Sequence, residues 1–302
     1  MSRFYELTHV SPAHPLSRFF TSWLLPTPVF LAYRAFLCLY AVLVIIISNS
    51  LTPDDAGSRF SYFTWLTFWG ITCYLIVSTA HTFSYWRYGR AWLEDWPKPL
   101  QFLHVLYYST IVVLPWTVTA VYWAVLFDKF DSEYQAWSNV RMHASHSFVL
   151  AIPNRAICML SVANMYLCDM QISVHALNAV IAFLEIVVPR SEPLPWMHIP
   201  LFMPILGGYL AIAYITKATQ GFYTYSFLDP KRSGSGVTAA YCIGILIGTV
   251  LLFSIVKGLI WVRMWATERK LGMMGKFSER DPRREIEVDG EEDIEEMKRV
   301  AV

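Results

Sequence analysis

The sequence predicts an all-α fold, a polytopic bundle of transmembrane helices with six core spanning helices. Three observations predict it. The 302 residues are 55% hydrophobic and only 16% charged, whereas a soluble domain averages about 25% charged residues. Six segments are apolar over a length that crosses a membrane. Lys and Arg residues are also divided unequally between the loops on the two sides, as in membrane proteins.

The spans follow from length, because a hydrocarbon core of about 30 Å requires about 20 apolar residues in a helix. A seventh candidate, 147–168, is poorer, since "IPNRAI" places Pro153, Asn154 and Arg155 in mid-segment. A central Arg costs about 2.5–3.5 kcal/mol on insertion. The chain therefore divides into an N-terminal segment (1–28), a transmembrane domain (29–265) and a charged tail (266–302). The six predicted spans are about 29–50, 61–83, 103–127, 172–188, 199–217 and 238–262.

The orientation follows from the charges of the loops. Six spans put both termini on one side, and that side receives more Lys and Arg than the other. Cytoplasmic loops carry this excess, so both termini are predicted to be cytosolic, in the endoplasmic reticulum or the plasma membrane. The richer side has Arg3, Arg18, Arg87, Arg90, Lys98, Arg190, Arg263, Arg269 and Lys270, against Arg59, Lys129, Lys231 and Arg232.

Composition also limits the partners and cofactors. The net charge of +1 argues against a nucleic-acid partner, and the lipid bilayer is the predicted environment. The five cysteines are scattered, without CxxC or His/Cys spacing, so neither a disulfide framework nor a zinc site is indicated. No nucleotide, metal or flavin motif is present, and no cofactor is predicted.

A polar stripe runs along the second span. Thr67, Tyr74, Ser78 and His81 follow one another at steps of seven, four and three residues, which places them on one helical face. Intramembrane polar groups usually face the interior of a bundle. The stripe therefore indicates either hydrogen bonding between helices or a site.

A second stripe lies in the fourth span, where His175, Asn178 and Glu185 share a face. It too is compatible with helix–helix hydrogen bonding, and Glu185 with a side chain that extends to the interface. Thr67 and His175 are both predicted roughly 5–9 Å below the non-cytosolic surface. A threonine hydroxyl needs a nearby base to act as a nucleophile, and neutral histidine provides one.

Five blocks of sequence resemble the androgen-induced family of integral membrane proteins, in that family's order. They extend over about residues 30–265 and leave the tail uncovered. The blocks are "YFTWLTFWG" (62–70), "AVYWAVLFD" (120–128), "WSN" (137–139), "HALNAVIAFLEI" (175–186) and "GFYTYSFLDP" (221–230).

The resemblance implies a threonine-type hydrolase of lipid esters, with fatty acid esters of hydroxy fatty acids as substrates. It implies Thr67 of the "LTF" motif as nucleophile and a histidine as base. The family's histidine lies six residues after a Trp and ten before a Glu. His175 stands ten residues before Glu185, whereas His143 stands six after Trp137. His175 is the predicted base and His143 the alternative.

Removal of residues 140–171 gives His175 both spacings at once. Codons for Val140-Arg141 can supply a 5′ splice site, and a CAG codon for Gln171 a 3′ site. Our hypothesis is that this segment is a retained intron; the alternative is a genuine insertion. The other function class left open is a non-catalytic membrane protein, either a transporter, a receptor-like bundle or a scaffold. Asn178 and Glu185 are predicted supporting residues, and His81, His104 and His198 interfacial or packing residues.

The intron hypothesis makes a direct prediction. We expect the main transcript to lack the codons for 140–171, because their removal restores the spacing of Trp137, His175 and Glu185. Sequencing of full-length messages checks this. A main message that carries these codons establishes a genuine insertion instead.

Overall fold

The computed structural model describes residues 2–51, 53, 56–126 and 177–273. These residues form helices and contain no β-strand. Five helices are long: α2 (Thr27–Leu51), α4 (Phe63–Tyr88), α6 (Lys98–Val121), α8 (Ile199–Gln220) and α10 (Ser235–Met264). Five are short: α1 (Ser2–Leu7), α3 (Ala56–Arg59), α5 (Trp92–Asp95), α7 (Asn178–Val187) and α9 (Pro230–Ser233).

The long helices correspond to five of the six predicted spans, and all five are long and apolar enough to cross a membrane. The all-α polytopic bundle predicted from the sequence is thereby confirmed. The predicted span 172–188 is described from residue 177 onwards. There it forms α7, an apolar helix of 10 residues, which rises only about 15 Å. The segment 140–171, with its seventh candidate span, lies outside the described residues.

The outer helices present apolar faces to the surroundings. Along α10 an exposed stripe recurs at every fourth residue, made of Ile243, Ile247, Leu251, Ile255 and Leu259. Soluble monomers rarely expose an apolar surface of this extent, whereas lipid chains solvate it. The chain is therefore an integral membrane protein, with α2 and α10 as its most apolar helices.

The core lies around α4 and α6. Helix α4 packs against α2, α6 and α7, and α6 packs against α7 and α10 as well. Fully buried apolar side chains such as Phe68, Ile71 and Leu75 on α4, and Val112 and Val113 on α6, fill the space between them. The polar stripe of the second span thus belongs to the most enclosed part of the bundle.

Helix boundaries follow local sequence. Helix α4 ends at Gly89, whose φ of 71° gives the left-handed turn that closes the helix, and Gly221 ends α8 in the same way with a φ of 83°. Glycine adopts this conformation without steric conflict. Pro97 and Pro99 bound the first turn of α6, where a missing N–H is tolerated.

The N-terminal segment and the end of α10 meet at one end of the bundle, which we call the terminal end (residues 2–26, 89–97, 188–195 and 265–273). The Arg18 guanidinium donates to both carboxylate oxygens of Glu268, at 2.8 and 2.9 Å. Trp23 Nε1 donates to the Val187 carbonyl at 2.7 Å, and Ser22 Oγ to that of Val188 at 2.8 Å.

The opposite end, which we call the loop end, comprises residues 57–62, 122–126 and 221–234. Thr216 Oγ1 donates to Ser61 Oγ at 2.9 Å, and the rings of Tyr62 and Tyr225 meet edge to face. Helix α7 begins toward this end and finishes at the terminal end, so it runs in the same direction as α4. Residues 126 and 177, which flank the part of the chain that is not described, therefore lie toward the same end.

A buried ion pair joins several elements of the bundle near the terminal end. Arg34 of α2 and Glu185 of α7 are both 0% exposed. Arg34 Nη2 donates to Glu185 Oε2 at 2.7 Å and Nε donates to Oε1 at 3.2 Å. The remaining nitrogen, Nη1, donates to the Phe19 carbonyl at 2.8 Å and to Thr82 Oγ1 at 3.0 Å. One guanidinium thus joins α2, α4, α7 and the N-terminal segment.

This pair predicts an asymmetric response to mutation. Arg34→Met leaves the Glu185 carboxylate buried without its partner, and we expect the free energy of unfolding to fall by about 3–5 kcal/mol. Arg34→Met/Glu185→Leu removes that charge as well and should regain most of the loss. Denaturant unfolding in mixed lipid–detergent micelles measures both. A single variant as stable as the wild type would contradict the assignment.

Candidate functional site

The hydroxyl of Thr67 lies at the centre of a short hydrogen-bond chain near the loop end. Thr67 is on the second turn of α4 and is 7% exposed. Its Oγ1 donates to the Thr64 carbonyl at 2.8 Å and accepts from Asn178 Nδ2, also at 2.8 Å. The structure therefore brings Thr67 together with a predicted supporting residue that is 111 positions away in the sequence.

Asn178 is the first residue of α7 and is completely buried. Its Nδ2 donates to Thr67, while its Oδ1 has no hydrogen-bond partner among the described residues. A buried carbonyl oxygen without a donor is destabilising by about 1–3 kcal/mol, and such groups are uncommon in native proteins. The free Oδ1 marks this position as one where a further donor belongs.

An apolar cleft of about 410 Å³ lies beside Thr67. Its walls come from α4, α6 and α8, and include Phe63, Leu66, Thr67, Gly70, Thr110, Ile111, Leu114, Pro115, Pro204, Ile205, Gly208, Tyr209 and Ile212. The volume falls in the range of about 300–1,000 Å³ typical of small-molecule sites. Among the described residues that line it, hydroxyls belong to Thr67, Thr110 and Tyr209.

The cleft opens toward the outer surface of the bundle. Pro204 and Gly208 line it and are exposed residues of α8. The outer surface of a membrane-spanning helix faces lipid. The described lining of the cleft therefore extends to the lipid-facing surface of α8.

The rest of the second-span stripe is buried, as its spacing indicated. Tyr74 and Ser78 are 0% exposed and His81 is 2% exposed. Ser78 accepts from Thr82 Oγ1 through its backbone carbonyl at 2.7 Å. The His81 ring packs edge to face against Trp96 and His104. These three residues lie toward the terminal end and do not contact Thr67.

Glu185 does not belong to the Thr67 site. It lies two turns beyond Asn178 on α7, about 10 Å along the helix axis, and both of its oxygens bond Arg34. The alternative that its side chain extends to the membrane interface is wrong, because the side chain is fully buried. A carboxylate held on both oxygens by a guanidinium serves packing and not proton transfer.

The histidines of the predicted site fall outside the described residues. His175, the predicted base, stands three positions before Asn178 in the sequence. His143, the alternative base, and the Trp137-Ser138-Asn139 motif fall there as well. The roles of these residues stay predictions.

The other predicted packing histidines lie in the interior. His104 and His198 are 4% and 0% exposed. His198 Nδ1 is 2.8 Å from Ser109 Oγ, a hydroxyl–imidazole pair that spacing in the sequence did not indicate. Ser109 borders a cavity of only about 10 Å³, which excludes an ester substrate, so the pair serves packing.

Sequence reasoning also missed Arg34, the partner of Glu185. A signal was available, because Arg34 is a lone charge inside the most apolar of the early spans. An ionisable residue within a transmembrane segment almost always has a partner in the bundle interior. The acidic residue of the second stripe was the natural candidate.

Fold and site together define a multi-pass helical membrane protein with a hydroxyl presented to an apolar, lipid-accessible cleft. Comparisons with protein-family models, with curated protein sequences and with solved structures find no match for this chain.

Proposed function

We propose that this chain is a lipid-ester hydrolase of the androgen-induced family, with Thr67 as its nucleophile. The observation that carries the proposal is the Thr67 hydroxyl, bonded to Asn178 and placed in the wall of an apolar cleft of about 410 Å³. The proposed substrates are fatty acid esters of hydroxy fatty acids, whose acyl chains match an apolar cleft that opens to lipid.

The chemistry divides between three residues. Thr67 Oγ1 attacks the ester carbonyl while its proton passes to His175, which acts as general base. The tetrahedral intermediate expels the hydroxy fatty acid, which takes that proton, and leaves an acyl group on Thr67. A water molecule, deprotonated by the same imidazole, then releases the fatty acid and restores the threonine.

Asn178 has two proposed parts in this scheme. Its Nδ2 is already within hydrogen-bond distance of Thr67 Oγ1 and donates to the oxyanion as charge develops next to that oxygen. Its buried Oδ1, which lacks a donor among the described residues, accepts from the His175 imidazole and fixes the ring. His175 and Asn178 are three positions apart, the spacing of neighbours on a helical face.

The ground-state bonding of Thr67 explains why a base is required. In the structure its proton is donated to the Thr64 carbonyl within the same helix. That bond keeps the hydroxyl neutral and weakly nucleophilic. Transfer of the proton to an imidazole is the step that activates it.

The direction of the helices supports this assignment over a non-catalytic role. Helices α4 and α7 run the same way and place Thr67 beside the first residue of α7. The cleft also borders the Thr67 residue. A scaffold or a transporter requires neither this cleft nor the placement of Thr67 beside α7. With the Arg-rich terminal end in the cytosol, the site lies in the non-cytosolic leaflet.

The nucleophile is tested with a matched pair of variants. Thr67→Val keeps the shape of the side chain and removes the hydroxyl, so ester hydrolysis should fall at least about 100-fold, as should that of His175→Ala. Thr67→Ser keeps the hydroxyl and should retain measurable turnover. Fatty acid release from a hydroxy-fatty-acid ester, followed by mass spectrometry in membranes with matched expression, measures this. Undiminished turnover by Thr67→Val would reject the nucleophile.

The cleft is tested by filling it. Gly208 lines the cleft, and a Cβ built there meets no heavy atom within 4 Å, so Gly208→Leu adds a side chain at the cleft wall without a clash at its first atom. We expect hydrolysis of long-chain esters to fall about tenfold or more relative to a short acetate ester, because apolar mismatches of this size alter binding by about 1–3 kcal/mol.

Gly207→Leu is the matched control for this experiment. Gly207 is exposed, equally free of neighbouring atoms, and does not line the cleft. Its chain-length profile should equal that of the wild type. Equal profiles for both glycine variants would place the acyl chain elsewhere.

A further inference from the structure

Three potential metal ligands converge at the terminal end, far from Thr67. His9 and His14 belong to the N-terminal segment, and Glu192 belongs to the loop after α7. His14 Nδ1 is 2.5 Å from Glu192 Oε2, and His9 Nδ1 is 3.6 Å from the same oxygen. One atom from each residue falls within 4.8 Å of the others. The cluster joins parts of the chain that are 178 positions apart.

These distances match a contracted coordination shell. Zinc–nitrogen and zinc–oxygen bonds of about 2.0–2.2 Å place tetrahedral ligand atoms roughly 3.3–3.6 Å apart. The two measured separations, 2.5 and 3.6 Å, lie on either side of that spacing. The two imidazoles are stacked, with ring centroids 3.9 Å apart and planes 10° apart, and His14 Nδ1 is hydrogen-bonded to Glu192. Binding of one ion therefore requires the two rings to turn toward a common point.

The other oxygen of Glu192 lies near Arg18. Arg18 Nε is 3.4 Å from Glu192 Oε1, an ion-pair distance at which Nε has no hydrogen-bond partner among the described residues, while the Nη2 of the same guanidinium donates to Glu268. Oε2 is the oxygen that lies near both imidazoles.

His9 adopts a backbone conformation that favours glycine. Its φ is 59°, and it is the only residue other than glycine with a positive φ in the described part of the chain. The position follows the end of α1, where His9 N–H bonds the Glu6 carbonyl and Val10 N–H bonds that of Tyr5. Glycine is the usual residue there. His9 therefore occupies a position where its backbone conformation costs about 1–3 kcal/mol.

The space at the cluster suits a single ion. The cavity lined by His9, His14 and Glu192 has a volume of about 10 Å³. One water molecule requires about 10–15 Å³, so an organic ligand is excluded while a metal ion is not.

We propose that His9, His14 and Glu192 form a binding site for one divalent transition-metal ion, with zinc the best fit. Two imidazoles and one carboxylate are a ligand set that zinc takes in proteins, with the fourth position open to water. The metal fastens the N-terminal segment to the loop after α7. This proposal is independent of the hydrolase, since the site shares no residue with the Thr67 cleft.

The experiment uses the full chain, purified in detergent with a tag that binds no metal and stripped with a chelator. Titration with Co²⁺ should produce the visible absorption of four-coordinate cobalt at one ion per chain, and Zn²⁺ should abolish it by displacement. Zinc should also raise the thermal midpoint of the wild type, because a ligand that binds only the folded state stabilises it.

Three variants and a control test the assignment. His14→Ala and Glu192→Gln each remove one ligand, and affinity should fall at least about 100-fold, since even outer partners contribute about 10–100-fold. His9→Asn removes the imidazole at a position whose positive φ suits Asn, so it should fold and still lose the metal. Glu6→Gln, an exposed carboxylate of the same segment, should bind like the wild type.

Two results would overturn the proposal. One is a wild-type chain that gives no four-coordinate cobalt spectrum. The other is a folded His9→Asn or Glu192→Gln chain that binds Zn²⁺ as tightly as the wild type.

Discussion

The buried ion pair between Arg34 and Glu185 is the constraint on which the rest of the bundle depends. A charge in hydrocarbon must be neutralised, and each of these side chains neutralises the other with 0% exposure. The guanidinium also donates hydrogen bonds to the Phe19 carbonyl and to Thr82 Oγ1. The hydrogen bonds of the three guanidinium nitrogens and the two carboxylate oxygens fix the position of α7 between α4 and α6. They also fix where the N-terminal segment enters the bundle.

The geometry of the Thr67 site depends on the Arg34–Glu185 pair. Helix α7 has only 10 residues, so a fixed Glu185 at one end leaves little freedom for Asn178 at the other. The result is a 2.8 Å bond between Asn178 and Thr67. The short helix therefore sets the distance between the Arg34–Glu185 pair near the terminal end and the Thr67 hydroxyl near the loop end.

The sequence predicted much of this, and its failures have physical causes. Apolar length predicted the long helices, because crossing a membrane imposes a minimum on it. Matched depth predicted that Thr67 and His175 share a leaflet; His175 lies outside the described residues, and Asn178, three positions further on, bonds Thr67. The pairing of Arg34 with Glu185 required knowing which helices touch. The cluster of His9, His14 and Glu192 escaped spacing rules, because its ligands come from distant segments.

The separation of Arg34 from Glu185 along the chain bears on how the protein is made. The two are 151 residues apart, or 119 if the main message lacks the codons for 140–171, and at about 5–20 residues per second the ribosome needs roughly 6–30 s to supply the second after the first. During that interval α2 is inserted with its guanidinium unpaired, at a cost below the roughly 2.5–3.5 kcal/mol of a central Arg, because Arg34 is in the first third of the 25 residues of α2. Helix α2 must therefore be protected from lipid during biogenesis. The membrane domain is complete only after α7, encoded near the middle of the message, has been synthesised.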